Sequence, residues 1–568
     1  MELDRYSFSM RKVISLFATF IVLLSGMTSA NSAEIFAKDP LQLMDTLRPE
    51  TGARGLVFVE NVQAKASIGS IRYSHIPVFK SDGSIEPSNY WDWKKCSSWN
   101  DPNCPLKIGH TIEGKAILGT CINSTELGCI ENFKIFDSLG AEKKLTYIGK
   151  SFAEAIDIPE ELKFAMPRSS SPPVYKDDEG NYFVIRASLW VSISGTSEPS
   201  YKLDVDITPV ALTNDSSLLA PTVENTVDPR TGLGLVYVTP APSECISTGV
   251  GICYKAVEPE NEYKYSVSLR VPRLISGWLR GRVSNADFDV KAVNNKSKVI
   301  TVIAKPVKMP IAGGWVNYSE LPTGFIDKVW PSGGYDSNPA ASYYLVADPS
   351  QGDRGLEEYA AWSPYLKEKA LTSVSNWSFG TNMSGSEESC LKVPGEISGF
   401  VASNASVYSS NPPQWDAAES SLTYKVAAPH NDETGNQNLG TYTLAMPLAS
   451  IKCLYGQSNL PPSATIAVTY GSEVTTIATV SLKSNSGWIF FSANGFHYSN
   501  PTIVVKFNKP ESVSTGTAAP KRPKTSAAQT PLPTKTIWCS KGTTKRKVSA
   551  TKPVCPKGFK KIANPKDR

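Results

Sequence analysis

Two pairs of acids are spaced for chemistry in this sequence. Asp204 and Asp206, and likewise Asp287 and Asp289, stand two residues apart. In an extended strand that spacing sends both carboxylates to one face. Paired carboxylates can hydrolyse a glycosidic bond or hold Ca²⁺. Acids alternating along the wet face of an antiparallel strand are more ordinary, and that is the place expected for both pairs. Tyr90, Trp91, Trp93 and Trp99 gather beside Cys96 and Cys104. Trp held on the surface by a short disulfide would form a platform for stacking on sugar rings, while one or two of these four rings are expected to cover a small core. His75, His110, His430 and His497 lie far apart in the sequence and read as structural histidines. The chain has no HExxH, GxSxG, P-loop or GxGxxG motif, although a Ser/His/Asp set need not be local in sequence. No catalytic residue, cofactor or metal site is expected.

The elements that must position these groups are mostly strands. Leu56–Val59, Leu235–Val238, Val299–Ile303 and Ile503–Phe507 are short runs of β-branched and aromatic residues. Thr465–Tyr470 and Val474–Leu482, separated by Gly471-Ser472-Glu473, predict a hairpin. A helix is expected over Leu356–Leu371, interrupted by Pro364. With 41 Pro and 39 Gly punctuating the chain, the expected fold is mainly β: several antiparallel β-sandwich-like domains, one short helical segment and a flexible basic tail. The expected boundaries are a signal peptide at 1–33, a disulfide-containing β domain at 34–221, a second β domain with a helix near its end at 222–372, a third at 373–508, a linker at 509–535 and the tail at 536–568. Arg48–Val59 and Asp228–Val238 share a turn-plus-strand pattern, and each precedes a Cys-x7-Cys element, which suggests two related domains. Leu321-Pro322-Thr323-Gly324 lacks a residue of the sortase signal it resembles and reads as a turn.

Arg11 and Lys12 precede a short apolar run, Val13 to Leu24, and then the small residues Thr28 and Ala30. These are the parts of a secretory signal, and twelve helical residues rise only about 18 Å, too little to cross a bilayer core of about 30 Å. Met10 is an alternative start. The ten cysteines agree with export. Cys96/Cys104, Cys121/Cys129 and Cys245/Cys253 each enclose seven residues, and Cys390/Cys453 and Cys539/Cys555 remain. An even count in an exported chain predicts disulfides between neighbours, although the four Cys between 96 and 129 also allow crossed pairings. Without a CxxC knuckle or clustered His, zinc is not expected.

Charge is divided unevenly. From Lys509 to Arg568 fifteen Lys and Arg face two acids, Glu511 and Asp567, for a net +13; the leader 1–30 carries +1, so within a total of +5 residues 31–508 hold −9. The segment 509–535 is rich in Pro, Ser, Thr, Ala and Lys and reads as a linker spanning about 30 Å. Beyond it, a Cys539/Cys555 loop would hold Lys541, Lys545, Arg546, Lys547 and Lys552 together, with Lys557, Lys560 and Lys561 just after. Concentrated cations outside a membrane call for an anionic partner. The pattern Trp538-Cys539, Lys545-Arg546-Lys547-Val548, Lys552-Pro553, Cys555-Pro556, Gly558-Phe559-Lys560-Lys561 resembles the basic two-cysteine tail of exported actinobacterial proteins of unknown function. Residues 377–507, with Gly487-Trp488-Ile489-Phe490-Phe491 and Gly495-Phe496-His497-Tyr498-Ser499, resemble a domain of such proteins. The resemblance implies an address and no activity. The expected function is non-catalytic binding or adhesion at the cell surface or wall, through an anionic wall polymer or polysaccharide, with no specific nucleic acid and no transmembrane segment after signal cleavage. The alternatives are a wall-retained, glycosidase-like hydrolase and a purely structural envelope component.

Overall fold

In a computed structural model the chain divides into two compact units, residues 1–510 and 511–568. The structure describes residues 36–507 and 535–562 except 61–68, 76–92, 108–109, 152–157, 196–197, 220, 228–233, 239–244, 330–339, 350–352, 382–387, 410, 457–463, 471–472, 477–479, 499–501, 542–543, 551–554 and 556–558. The leader and nearly all of the expected linker therefore lie outside the described residues.

The fold is mainly β and predominantly antiparallel. One long sheet organises the first unit. Its central run takes the strands His110–Ile117, Tyr182–Ser194, Ser200–Asn214, Ser378–Thr381, Gly277–Arg282, Ile397–Ser403, Leu439–Pro447 and Trp488–His497 in that spatial order. Gly277–Arg282 and Ile397–Ser403 run parallel; the other pairs in this run are antiparallel. Period-two alternation divides each strand between two faces. Along Ser200–Asn214, Leu203, Val205 and Ile207 are buried in the main core, while Lys202, Asp204 and Asp206 take the opposite side. A four-stranded sheet, Ser284–Ala292, Ser297–Lys305, Lys264–Pro272 and Cys129–Phe136 in spatial order, supplies Leu269, Phe288 and Ile300 to the same core. Phe288 stacks on Phe400 at 5.5 Å between ring centroids. The second face of the long sheet is covered by apolar packing at its near end, where Val184 and Val210 meet Val174 and Tyr254, and again at its far end. There Trp278, Leu444 and Phe491 pack with Tyr424 and Ile503 from a further sheet that contains Ser421–Ala427 and Thr502–Phe507.

The boundaries expected at 221/222 and 372/373 fall inside this unit, and hydrogen-bonded ladders cross both. Ser200–Asn214 pairs with Ile252–Ala256 and with Ser378–Thr381. The two segments of the suggested duplication differ in pairing. Ala53–Phe58 lies between antiparallel Gly313–Asn317 and parallel Tyr343–Ala347, whereas Gly234–Val238 forms a hairpin with Val223–Val227.

The expected helix is shorter and begins earlier, at Asp353–Trp362. Pro364 ends it, because proline has no N–H and disfavours helical geometry in the residue before it. Short helices also occur at Pro40–Thr46, Phe325–Val329 and Leu448–Tyr455; with about two turns or fewer, they show too little periodicity to stand out in sequence. The expected hairpin is half present. Ala464–Tyr470 pairs with Glu473–Thr476 around Gly471-Ser472, but Val480–Asn485 leaves to pair with Trp488–His497 in the long sheet. Leu321–Gly324 is a turn, with Phe325 N–H donating to Pro322 O at 2.9 Å.

Three hairpin turns reuse one device. The Asp137, Asp177 and Asp432 carboxylates each accept from the backbone N–H groups two and four residues ahead, at 2.8–3.0 Å. Each loop places a glycine at positive φ in its fourth position, Gly140, Gly180 and Gly435, as a turn followed by a left-handed residue requires.

All five cysteine pairs are neighbours: Cys96–Cys104, Cys121–Cys129, Cys245–Cys253, Cys390–Cys453 and Cys539–Cys555. The second unit is a three-stranded sheet with Lys535–Lys541 between Thr544–Ala550 and Lys560–Ile562, and Cys539 within it is fully buried. Lys535, placed in the linker by the sequence reading, starts its first strand.

Cys390–Cys453 spans 63 residues, and closing a loop of that length restricts the unfolded chain by about 4 kcal/mol. The double substitution Cys390→Ser/Cys453→Ser is expected to lower unfolding stability by about that amount, read from urea midpoints. An unchanged midpoint would show that the crosslink does not constrain the unfolded state.

Candidate functional site

The charged side of the long sheet holds the best-built site. Strand register places its residues in cross-strand rows. One row runs Ser188, Asp204, Gly380, Arg280, and the next runs Arg186, Asp206, Ser378, Arg282. A carboxylate pair and a guanidinium pair thus face each other across a strand whose two facing residues, Gly380 and Ser378, are small. Gly380 leaves the gap open: a Cβ there would lie 2.7 Å from Asp204 Oδ1 and 2.6 Å from Leu203 O. The result is a cleft of about 70 Å³, room for a few waters or one small polar molecule. Glu60, Asp348 and Tyr408 complete its lining. Glu60 and Asp348 follow the ends of the parallel strands Ala53–Phe58 and Tyr343–Ala347.

Ion pairs and hydrogen bonds hold most of these charges in place. Arg186 Nε donates to Asp206 Oδ1 at 2.8 Å, and the same oxygen accepts from the Thr208 hydroxyl. Arg282 is almost fully buried; its Nε donates to Glu60 Oε1 at 2.7 Å, its Nη1 donates to Ser403 O and Ala405 O, and its guanidinium lies 4.2 Å from the Tyr408 ring centroid. Such saturation is needed because an uncompensated buried charge costs several kcal/mol. Arg280 differs. Its Nη1 donates to the Tyr408 hydroxyl at 3.2 Å, and among the described residues its other N–H groups meet no acceptor. Asp204 Oδ2 is buried without a hydrogen bond, with Lys202 Nζ 3.1 Å away as its ion-pair partner.

The wet-face expectation for Asp204 and Asp206 is thus corrected. The opposite side of the sheet carries the core, but the side they occupy is itself roofed by other segments, and Asp206 is only 7% exposed. Arg186, Arg280 and Arg282 were missed by the sequence reading. Arg280 and Arg282 carried one signal, Arg-x-Arg at strand spacing, which is informative only once Asp-x-Asp is known to lie opposite, and Arg186 carried none. Asp287 and Asp289, in contrast, lie partly exposed on the edge strand Ser284–Ala292, and Asp289 pairs with Lys291 at 2.9 Å.

The aromatic group divides. Trp99 is buried, packed on Phe164 at 5.3 Å between ring centroids and seated over Gly114, where a Cβ would lie 2.0 Å from its ring. Trp99 is therefore core and not a stacking surface. Its loop is held by Asp101, which accepts from Ser97 N–H and Asn103 N–H; these bonds hold the carboxyl down at about 2. Trp93 is partly exposed, with the Arg72 guanidinium 4.3 Å over its ring. Tyr90 and Trp91 lie outside the described residues. His110 bonds the Tyr73 hydroxyl and His430 Nδ1 bonds Tyr498 O, both structural contacts. Cys121, Glu126 and Cys129 come close together, but the two sulfurs are bonded to each other and Glu126 accepts from Ile122 N–H, leaving no thiolate ligand.

In the second unit, register sets cations in successive rows: Lys545, Ser540, Lys560; then Arg546, Cys539, Lys561; then Lys547, Trp538, Ile562. Lys560 and Lys561 are exposed. Lys541 pairs with Thr544 at the end of the ladder, and Lys552 and Lys557 lie outside the described residues. Compared with family models, curated proteins and solved structures, the chain matches none of them.

Lys115, beside the cleft, is buried with its ammonium 4.8 Å from the Trp190 ring centroid. Desolvation pulls its pKa down to about 7, against the opposing attraction of Asp204. Unfolded lysine titrates near its ordinary 10.5, so the unfolded chain holds more protons between these values and stability rises with pH through that window. Lys115→Met is expected to stabilise the protein most at pH 6, with the difference shrinking towards pH 10, read as urea midpoints across that range. A difference that does not vary with pH would contradict the low pKa.

Proposed function

We propose that this is an exported protein that acts by binding, held to an anionic envelope polymer or polysaccharide through its C-terminal unit. The observation that carries the reading is the register of that unit, which gathers Lys545, Arg546, Lys547, Lys560 and Lys561 into three adjacent rows of one disulfide-linked sheet. Fifteen basic residues against two acids over 509–568 cannot be neutralised from within, so their field is available to a polyanion. A folded, crosslinked scaffold lowers the ordering cost of binding relative to a loose tail. Five disulfides, and the lack of any helix among the described residues long and apolar enough to cross a membrane, are consistent with export. The resemblance of the tail to those of exported actinobacterial proteins supports the same address. Binding is favoured over hydrolysis because Asp206 is tied to Arg186 and Asp204 to Lys202, an arrangement suited to orienting a ligand and not to moving a proton.

The reading is tested by comparing the full mature chain with a variant ending at Lys509. The full chain is expected to fractionate with wall material at low salt and to be released at about 1 M salt, where the Debye length falls to about 3 Å. The shortened chain is expected in the medium, with polymer retention on immobilised polygalacturonate reduced about tenfold or more. Identical partitioning of the two forms would overturn the proposal.

A further inference from the structure

We propose that the cleft between Asp204/Asp206 and Arg280/Arg282 binds a small zwitterion, an α-amino acid or the free α-amino-carboxylate end of a larger molecule. Two groups aimed into it lack their full complement of partners, and they have opposite needs. Arg280 has N–H donors to spare beyond its bond to Tyr408, and a guanidinium presents them in the fork that matches a carboxylate. Asp204 Oδ2 is buried beside the Lys202 ammonium, 3.1 Å away, and accepts no hydrogen bond, while its Oδ1 faces the gap over Gly380. The residue between them is Gly380, so the two are separated by a strand with no side chain, about 9.5 Å between backbones. A ligand that reaches both must carry an anion at one end and a donor at the other, within a few bonds.

The charge of the lining selects among such ligands. Arg186, Lys202, Arg280 and Arg282 are balanced by Glu60, Asp204, Asp206 and Asp348. A neutral zwitterion preserves this balance, whereas a simple carboxylate or a simple amine would bury an extra charge. The volume of about 70 Å³ limits the enclosed part to a few heavy atoms. The Lys202 and Asp204 side chains remain 27% and 23% exposed, so the mouth lies on their side and the remainder of a larger ligand would extend there. This inference does not rest on the C-terminal unit, and its test is independent of wall attachment.

The test is calorimetric titration of the full mature chain with glycine, acetate, glycolate and glycinamide. Glycine is expected to bind, and each of the other three about tenfold more weakly or worse, the loss that follows when a hydrogen bond to a charged group is removed. Arg280→Gln is expected to abolish the preference for glycine over glycinamide, and Asp204→Asn the preference for glycine over acetate, with circular dichroism and urea midpoints confirming that both variants fold. Failure of the wild-type chain to bind glycine at millimolar concentration, equal binding of all four probes, or a preference for glycolate would each overturn the proposal. So would retention of both preferences in the two folded variants.

Discussion

A residue in a β-strand must face one side of its sheet or the other, and the two sides of the long sheet in this protein meet different surroundings. One side is apolar through its central run, because the four-stranded sheet lies over it. The other is apolar where the sheet containing Ser421–Ala427 covers it and again around Val184 and Val210, and charged between them. The change takes place within a single strand: Trp278 belongs to the covered end, while Arg280 and Arg282, two and four residues on, line the cleft. Everything distinctive about the cleft follows from that change of environment at constant period.

Charges placed so close to a core persist only if each is matched. Arginine suits the position because its planar fork spreads one charge over several donors and stacks on aromatic rings; Arg282 uses both properties, against Glu60, two carbonyls and Tyr408. The strand backbone between the two charged walls sets their separation, and its small residues Gly380 and Ser378 leave that space unfilled. Where matching is incomplete, at Arg280 and at Asp204 Oδ1 over the Gly380 gap, polar capacity is left over beside the cleft. The C-terminal unit follows a different economy. A segment this small buries little apolar surface, so it depends on a crosslink and a short ladder, and its cations are concentrated far beyond what its two acids can neutralise.

Much of the first unit was legible in the sequence. Runs of β-branched and aromatic residues at Leu56–Val59, Val299–Ile303 and Ile503–Phe507 marked strands, the equal spacing of three cysteine pairs favoured neighbour pairing, and the proline at 364 marked the helix as interrupted near its end. The domain boundaries were not legible, because ladders between Ser200–Asn214 and Ser378–Thr381 join residues more than 160 positions apart and turn chemistry speaks only to neighbours. Local alternation likewise showed that Asp204 and Asp206 share a face but not what covers that face.

The amino-acid sequence by itself determined the strand-rich class and the separation of an acidic body from a basic end, since each depends on composition, and it favoured crosslinks between neighbouring cysteines while leaving the pairing between 96 and 129 open. Tertiary structure alone decided that Trp99 is core, that one long sheet joins strands from Ser70–His75 to Trp488–His497 and that Asp-x-Asp confronts Arg-x-Arg across Gly380. Those outcomes depend on which strands become neighbours, and that is chosen by the burial of the opposite face, which no local pattern of residues records.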